Sequence, residues 1–238
     1  MQVVILAGGL GTRAYPYTEY LPKPMMPVGG KPILARVMEI FARQGHRDFI
    51  LSVGYRKEII EDYFSHPRAD WRVTIVDTGE KTDTGGRIAN CRHLLKERFF
   101  ATYSDGICDI PLSKLVKFHD SHAGLATITS VPLISQYGTI DADPDGRIRV
   151  FREKPVLRDY WINAGFFVMD PEVFDHWKGD NLERDVLPGL LRQGLLYSYR
   201  HDGFFKSMDT QKDQQELEKI YEFGNPPWLS SMAPAVTA

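Results

Sequence analysis

The sequence predicts an α/β fold: a Rossmann-like, mainly parallel sheet flanked by helices, with a small antiparallel hairpin element in its second half. Three observations predict it. Short apolar runs alternate with helix-period segments from residue 2 to residue 131, the rhythm of successive βαβ units. The first apolar run, Val3 to Leu6, opens directly into glycines, as a strand does when it brings bare backbone to the edge of a sheet. After Pro132 the rhythm changes to two short runs flanking Asp143-Pro144-Asp145-Gly146, a turn sequence.

The elements follow in order. A strand is expected at 2–7 and a helix at 32–44, where Ile33, Leu34, Val37, Met38, Ile40 and Phe41 recur at helical spacing and Gly45 closes the C-terminus. Then come strand 48–54, helix 56–64, strand 73–77, helix 86–96, strand 99–103, helix 112–121 and strand 125–131. Tyr137 to Asp141 and Arg147 to Arg152 read as the hairpin. A strand over Ile162 to Met169 follows, with a short helix, a helix near 183–193 and a strand at 195–200. The last helix runs from Gln211 to Phe223 and is stopped by Asn225, Pro226 and Pro227. No linker or repeat divides the chain, so residues 1–228 read as one domain, and 229–238 as a disordered tail.

Composition excludes several classes of function. With a net charge of −2 and both signs scattered, no basic stripe exists for nucleic acid. No apolar run approaches the ~18 residues of a membrane span, the first residues carry no charged export segment, and Cys91, read as a buried free thiol, points to a reducing cytoplasm. The two cysteines, Cys91 and Cys108, lack metal-pair spacing, and Cys91 shares an apolar helix face with Ile88, Leu94 and Leu95. His119 and His122 sit three apart on a helix without a third metal ligand nearby.

The chemistry concentrates at the first turn, Leu6-Ala7-Gly8-Gly9-Leu10-Gly11-Thr12-Arg13, followed by Pro22-Lys23-Pro24. Glycine amides can cradle phosphate oxygens, and Arg13 and Lys23 supply positive charge beside them. Gly9, Gly11 and Ala14 formally match a dinucleotide fingerprint, but Pro16, Pro22, Pro24 and Pro27 forbid the helix it needs, and the next strand ends in Gly54-Tyr55 rather than an acid. A P-loop needs Gly-Lys-Ser/Thr where Gly11 is followed by Thr12-Arg13. Roughly two dozen residues separate strand from helix here, and loops beyond about 12–15 residues in compact domains are usually functional or disordered. Four prolines stiffen this one, which favours binding.

This segment resembles the sugar-1-phosphate nucleotidyltransferase family, whose signature G-x-G-T-R, proline, P-K is matched by Gly9, Gly11, Thr12, Arg13, Pro16, Pro22 and Lys23. The resemblance extends from residue 1 to about Trp228 through Thr84-Gly85-Gly86-Arg87, Tyr103-Ser104-Asp105-Gly106, Tyr137-Gly138, Glu153-Lys154-Pro155, Ile162 to Val168 and Met208-Asp209-Thr210. Val76 to Arg87, the Tyr103-Ser104-Asp105-Gly106 box and the ending Gly203 to Thr210 resemble the glucose-1-phosphate cytidylyltransferase branch most. One departure is the short connection Ser65 to Arg72, where that branch carries a longer insertion used in subunit contacts.

The resemblance implies a GT-A-like fold, with a nucleotide half at about 1–131 and a sugar half at about 132–228. It implies a Mg²⁺-dependent, in-line transfer of a nucleotidyl group to a sugar-1-phosphate with release of pyrophosphate. CTP and glucose-1-phosphate are the expected substrates, with UTP, dTTP, GTP or ATP and other sugar phosphates as alternatives, and a homo-oligomer is expected. Asp105 and Asp209 are carried over as metal ligands, against the plainer alternatives of a turn residue before Gly106 for Asp105 and a cap on the helix near Gln211 for Asp209. Arg13 and Lys23 are assigned to the triphosphate, and Lys154 to the sugar phosphate, with an exposed ion pair as its plain alternative. Leu6, Ala7, Gly8, Gly9, Gly11, Thr12 and Ser104 are expected along the nucleotide, with Gly85 and Gly86 against the base and Arg87 beside it. Tyr137, Gly138, Glu153, Asn163 and Gly165 are expected at the sugar. A non-catalytic sugar-nucleotide sensor is the competing class, disfavoured because Arg13, Lys23, Asp105, Lys154 and Asp209 are all present.

Overall fold

Alternation along the first strand sets the architecture: Val3 and Ile5 enter one apolar cluster, Val4 and Leu6 another, so the sheet is covered on both faces. The computed structural model describes residues 1–66 and 70–230. The strand β1 (Gln2–Leu6) is followed by three single 3₁₀ turns, Thr12–Ala14, Tyr17–Glu19 and Lys23–Met25, and the two-residue strands β2 (Pro27–Val28) and β3 (Lys31–Pro32). The proline-rich loop is thus folded tightly, with turns short enough to need no helical ladder.

Next are α1 (Ile33–Ala42), β4 (Asp48–Val53), α2 (Lys57–Phe64), β5 (Arg72–Asp77), α3 (Thr84–Asn90), β6 (Phe99–Tyr103), β7 (Gly106–Cys108) and α4 (Leu112–His119). The second half contributes β8 (Ala126–Ile134), β9 (Thr139–Ala142), β10 (Ile148–Arg152), β11 (Val156–Asn163), β12 (Phe167–Met169), α5 (Leu187–Arg192), β13 (Leu196–Arg200), β14 (Phe205–Ser207), α6 (Gln211–Glu222) and α7 (Pro227–Ser230). The main sheet has the order β11-β8-β12-β6-β1-β4-β5, with β13 also on β8. Its β6-β1-β4-β5 half is parallel, while β12 runs antiparallel to both β6 and β8. The expected hairpin is β9–β10, and a second ribbon pairs β7 with β14.

Four departures from the expected elements have local causes. The single strand expected over 162–169 is two, because Gly165 and Phe166 take φ values of +77° and +52° and interrupt the ladder. The strand expected at 125–131 runs on through Pro132 to Ile134, and β11 slips register between Leu157 and Trp161, the latter opposite Pro132 with its missing N–H. The helix expected at 86–96 starts at Thr84, capped by the Asp83 carboxylate, and gives way after Asn90 to a 3₁₀ turn over Arg92–Leu94. At the end of the chain, α7 occupies part of the expected tail: Trp228 is fully buried and Leu229 packs on the core, while 231–238 lie outside the described residues. Within the short connection 65–72, residues 67–69 also lie outside them. Among the described residues no helix is long and apolar enough to cross a membrane.

Candidate active site

The carboxyl ends of the central strands gather the candidate residues. β1 delivers Leu6 and Ala7, both buried, and its path continues through an Ala7 N–H bond of 2.8 Å to the Ser52 carbonyl. The turn then rises away from the sheet. Gly8 is buried, and a Cβ built on it would lie 1.9 Å from Nη1 of Arg87, so no other residue fits. Gly9 is exposed, with nothing within 4 Å of where its Cβ would be. Gly11, at φ +62°, lets the turn close on Lys23, whose Cβ would be 2.8 Å from any side chain there. Thr12 and Arg13 follow on an exposed 3₁₀ turn.

Lys23 is the centre of the arrangement. Its Nζ donates to Asp105 Oδ2 at 2.5 Å and to Asp209 Oδ1 at 2.8 Å, and Nη2 of Arg13 reaches the same Asp209 oxygen at 2.9 Å. Burial by itself would lower the Lys23 pKa, but the charges and hydrogen bonds of Asp105 and Asp209 outweigh it and hold the ammonium above its ordinary value. Asp105 leaves the end of β6, and Asp209 follows β14. The β7–β14 ribbon pairs Gly106 with Ser207, and a Met208 N–H bond of 2.9 Å to the Asp105 carbonyl extends that pairing, so two distant segments present their carboxylates side by side. Asp209 does not cap α6. Thr210 does, in a reciprocal capping box with Asp213, which leaves the Asp209 carboxylate free to face the site.

The two carboxylates suit a hard divalent cation. Both oxygens lie on one ammonium, at 2.5 and 2.8 Å, and are therefore close neighbours. Octahedral Mg²⁺ bonds at about 2.0–2.1 Å bring two such oxygens to roughly 3–4 Å, within a small adjustment of this geometry.

Arg13 and Asp209 line a cavity of about 900 Å³ that also takes in Lys154, Arg158, Lys206 and Lys212. Lys154 is exposed on a left-handed backbone position, φ +45°. Glu153 comes up beside Gly138, where a Cβ would be 3.1 Å from its Oε2 and 2.6 Å from Phe151, so the Tyr137-Gly138 and Glu153-Lys154 segments are brought together as one exposed corner. Asn163 and Gly165 sit against β6: the Gly165 N–H bonds Asn163 Oδ1 at 2.9 Å, and Asn163 Nδ2 donates to the Tyr103 hydroxyl at 3.2 Å. Ser104 is buried between Tyr103 and Asp105. Gly85 and Gly86 pack on the Asp180 segment, where a Cβ at Gly86 would be 2.0 Å from Asp180 Oδ1.

Arg87 stands apart from its expected place. It is buried beneath the glycine turn, donating to the carbonyls of Gly8 (2.8 Å), Val53 (3.2 Å) and Glu80 (3.3 Å) and to Thr78 Oγ1 (2.9 Å). Burial lowers its pKa, only partly offset by Asp83, Asp180 and Asp77. It therefore acts on the turn from below rather than on a ligand's face. Sequence reasoning also missed Tyr103, Glu183 and Lys206. Lys206, inside the Gly203 to Thr210 stretch, is paired with Asp213 (3.2 Å) and Glu216 (2.6 Å). One further cluster, Cys108, Asp109 and His201, carries metal-binding groups, but His201 and Asp109 already satisfy each other at 2.6 Å and burial pushes the Cys108 thiol well up.

A bank of parallel strands that ends in a glycine turn, with cations and paired carboxylates, is the architecture of an enzyme that handles nucleoside phosphates. The chain belongs to the nucleotidyl transferase family, whose profile matches residues 2–202. It is 38% identical to the glucose-1-phosphate cytidylyltransferase of Salmonella typhi over 96% of this chain and 98% of that protein. It is 36% identical to the probable glucose-1-phosphate cytidylyltransferase of Bacillus subtilis over 96% and 99%. Among solved structures, HddC from Yersinia pseudotuberculosis superposes with a TM-score of 0.72 at 27% identity, covering 92% of this chain and 99% of that one.

Proposed function

We propose that this enzyme transfers a nucleotidyl group from CTP to glucose-1-phosphate, releasing pyrophosphate and forming CDP-glucose. The observation that carries the reaction class is the meeting of Arg13, Lys23, Asp105 and Asp209, of which Arg13 and Asp209 line a cavity that also takes in Lys154. The choice of CTP and glucose-1-phosphate is supported by the near full-length similarity to cytidylyltransferases; UTP, dTTP, GTP or ATP with another sugar phosphate is the alternative.

The reaction needs no protein nucleophile, since a phosphate oxygen of the sugar attacks the α-phosphorus and pyrophosphate leaves. Its difficulty is bringing two anions together: like charges ~4 Å apart cost about 4 kcal/mol at an effective dielectric of ~20. Asp105 and Asp209 would hold Mg²⁺, which when bound polarises the phosphate oxygens and neutralises part of their charge. Lys23 keeps its proton beside both carboxylates and supplies a fixed positive charge to the triphosphate. Arg13, paired with Asp209 at 2.9 Å but largely exposed, can turn its planar fork to the departing pyrophosphate. The turn Gly8–Gly11 offers backbone amides to phosphate oxygens, and the first turn of α3, where Gly85 and Gly86 pack on the Asp180 segment, would flank the base. Lys154 would hold the sugar phosphate, with Glu153, Asn163, Tyr137, Gly138 and Gly165 around the sugar. In this reading residues 1–131 bind mainly nucleotide and 132–228 mainly sugar. A cytoplasmic assembly of identical subunits completes it, and exposed Ile134, Phe151 and Tyr160 offer apolar surface for such contacts.

The test is pyrophosphate release with Mg²⁺ across CTP, UTP, dTTP, GTP and ATP, each against a panel of hexose-1-phosphates. CTP with glucose-1-phosphate is expected to give the highest kcat/KM. Release with another pair alone would move the assignment to that pair, and release with none would remove it.

A further inference from the structure

Between the first turn of α3, which carries Gly85 and Gly86, and the strand end that carries Asn163 runs an unbroken chain of side-chain hydrogen bonds. The Thr84 hydroxyl accepts from the Leu182 N–H at 2.9 Å and donates to Glu183 Oε2 at 2.6 Å. The other Glu183 oxygen accepts from the Tyr103 hydroxyl, and that hydroxyl accepts from Asn163 Nδ2 at 3.2 Å. Asn163 Oδ1 then accepts from the Gly165 N–H at 2.9 Å. None of the links is local in sequence except the last.

The order of donors along this chain is dictated at Glu183. A carboxylate only accepts, so both Thr84 and Tyr103 must donate to it. With its one proton committed, the Tyr103 hydroxyl can only accept from Asn163, and the Asn163 amide must turn its NH₂ toward β6 and its oxygen toward Gly165. One N–H of Asn163 is left over, aimed by its neighbours rather than by its own torsion. Gly165 reinforces the arrangement: a Cβ there would lie 2.9 Å from the Tyr103 ring, so the ring and the amide share a space no larger residue could enter.

Glu183 is held firmly enough to impose this order. Its segment is locked to the start of α3 by Gly86 N–H to the Asp180 carbonyl (2.9 Å), Asp83 N–H to Asp180 Oδ2 (3.1 Å) and Asn181 Nδ2 to Asp83 Oδ2 (2.8 Å). Asn181 in turn caps the turn Leu182–Val186 through the Arg184 N–H at 2.7 Å.

We infer that Glu183 is a positioning residue for the transfer reaction: through Tyr103 it fixes which face of the Asn163 amide meets the sugar, and through Thr84 it ties that choice to the start of α3, the proposed neighbour of the base. The inference rests on the proposed place of Asn163 at the sugar. Removing Glu183 frees Tyr103 to donate to Asn163 Oδ1, and the amide can then turn over.

The experiment compares Glu183→Ala, Glu183→Gln and Tyr103→Phe with the wild-type enzyme by steady-state pyrophosphate release, with thermal unfolding as the folding control. Glu183→Ala and Tyr103→Phe are expected to raise KM for the sugar phosphate about tenfold, the scale of one misdirected hydrogen bond, and to narrow the preference for glucose-1-phosphate over its epimers. The nucleotide KM should move far less. Glu183→Gln retains an acceptor for Tyr103 and should recover most of the loss, a rescue that a merely structural role would not predict. An equal rise in both KM values, or an unchanged sugar KM and epimer preference in a folded Glu183→Ala, overturns the inference. Should Glu183→Ala fail to fold, Tyr103→Phe, which keeps the ring, decides between the same two outcomes. Wild-type enzyme inactive on every sugar phosphate would instead be a failure of the functional reading.

Discussion

The two regions that carry the candidate residues, the glycine turn and the Tyr137–Lys154 corner, are built on opposite plans. On the glycine-turn side, Gly8, Lys23 and Arg87 are buried, and the Arg87 guanidinium bonds carbonyls from β4, the first turn and the 78–82 loop at once. The corner carrying Tyr137, Gly138, Glu153 and Lys154 is exposed, with Tyr137 at 80% and Phe151 at 62%. The first side is shaped before any ligand arrives, and the second presents long side chains to solvent. A preformed cradle suits an anion whose oxygens must be met at fixed points, whereas an exposed corner leaves its long side chains to be ordered by whatever binds there.

Four measurements break or sharpen that contrast. The largest effect is expected where the two sides meet: Asp105→Asn should reduce metal-dependent pyrophosphate release about 10³-fold with an unchanged fold by circular dichroism, and near-normal turnover would refute the ligand role. Next is the buried side. Arg87→Leu removes the guanidinium bonds to the Gly8, Val53 and Glu80 carbonyls, the first two of which keep the Tyr55 and Thr78 N–H groups as donors, and should cost about 1–2 kcal/mol in urea unfolding together with weaker nucleotide binding. If stability were unaffected, the turn would not depend on its support. On the exposed side, Lys154→Ala should raise KM for the sugar phosphate about tenfold while the melting temperature stays put. A falling melting temperature would show the corner to be as rigid as its opposite.

The smallest effect is with pH and belongs to neither side. Burial, aided by the N-terminal charge, holds His46 down to about 4, and burial also lowers His119. Both are neutral in the folded chain at pH values where the unfolded chain, titrating near 6.5, already binds protons. Stability should therefore be full above about pH 7 and decline as pH falls through 6.5 toward 4. Thermal unfolding between pH 7 and 5 checks this, and His46→Gln should flatten the decline.

Much of the parallel half is legible in the sequence, because each strand is a short apolar run and each helix has its own period. Lys23 and Asp105 are legible too, since each lies in a compact motif at a strand end or in a proline-rich turn. What escapes is long-range. The place of Arg87 depends on a pocket made by Gly8, Val53 and Glu80, three segments with no shared pattern, so a glycine-glycine-arginine run gives no hint that the guanidinium turns inward. The roles of Asp209 and Thr210 are separable in retrospect, because Thr210 and Asp213 stand at capping-box spacing and leave Asp209 one position too early. β7 and β14, three residues each, are too short for any periodicity to register.

That small ribbon has a consequence for how the molecule tolerates insertion and deletion. Its pairing of Gly106 with Ser207 is what puts the two acids at one ammonium. Sliding one strand by a single residue would carry a carboxylate about 3.4 Å along the chain and turn it to the opposite face. A one-residue deletion between His201 and Phe205 that forced such a slip would therefore disarm the enzyme while leaving its main sheet intact.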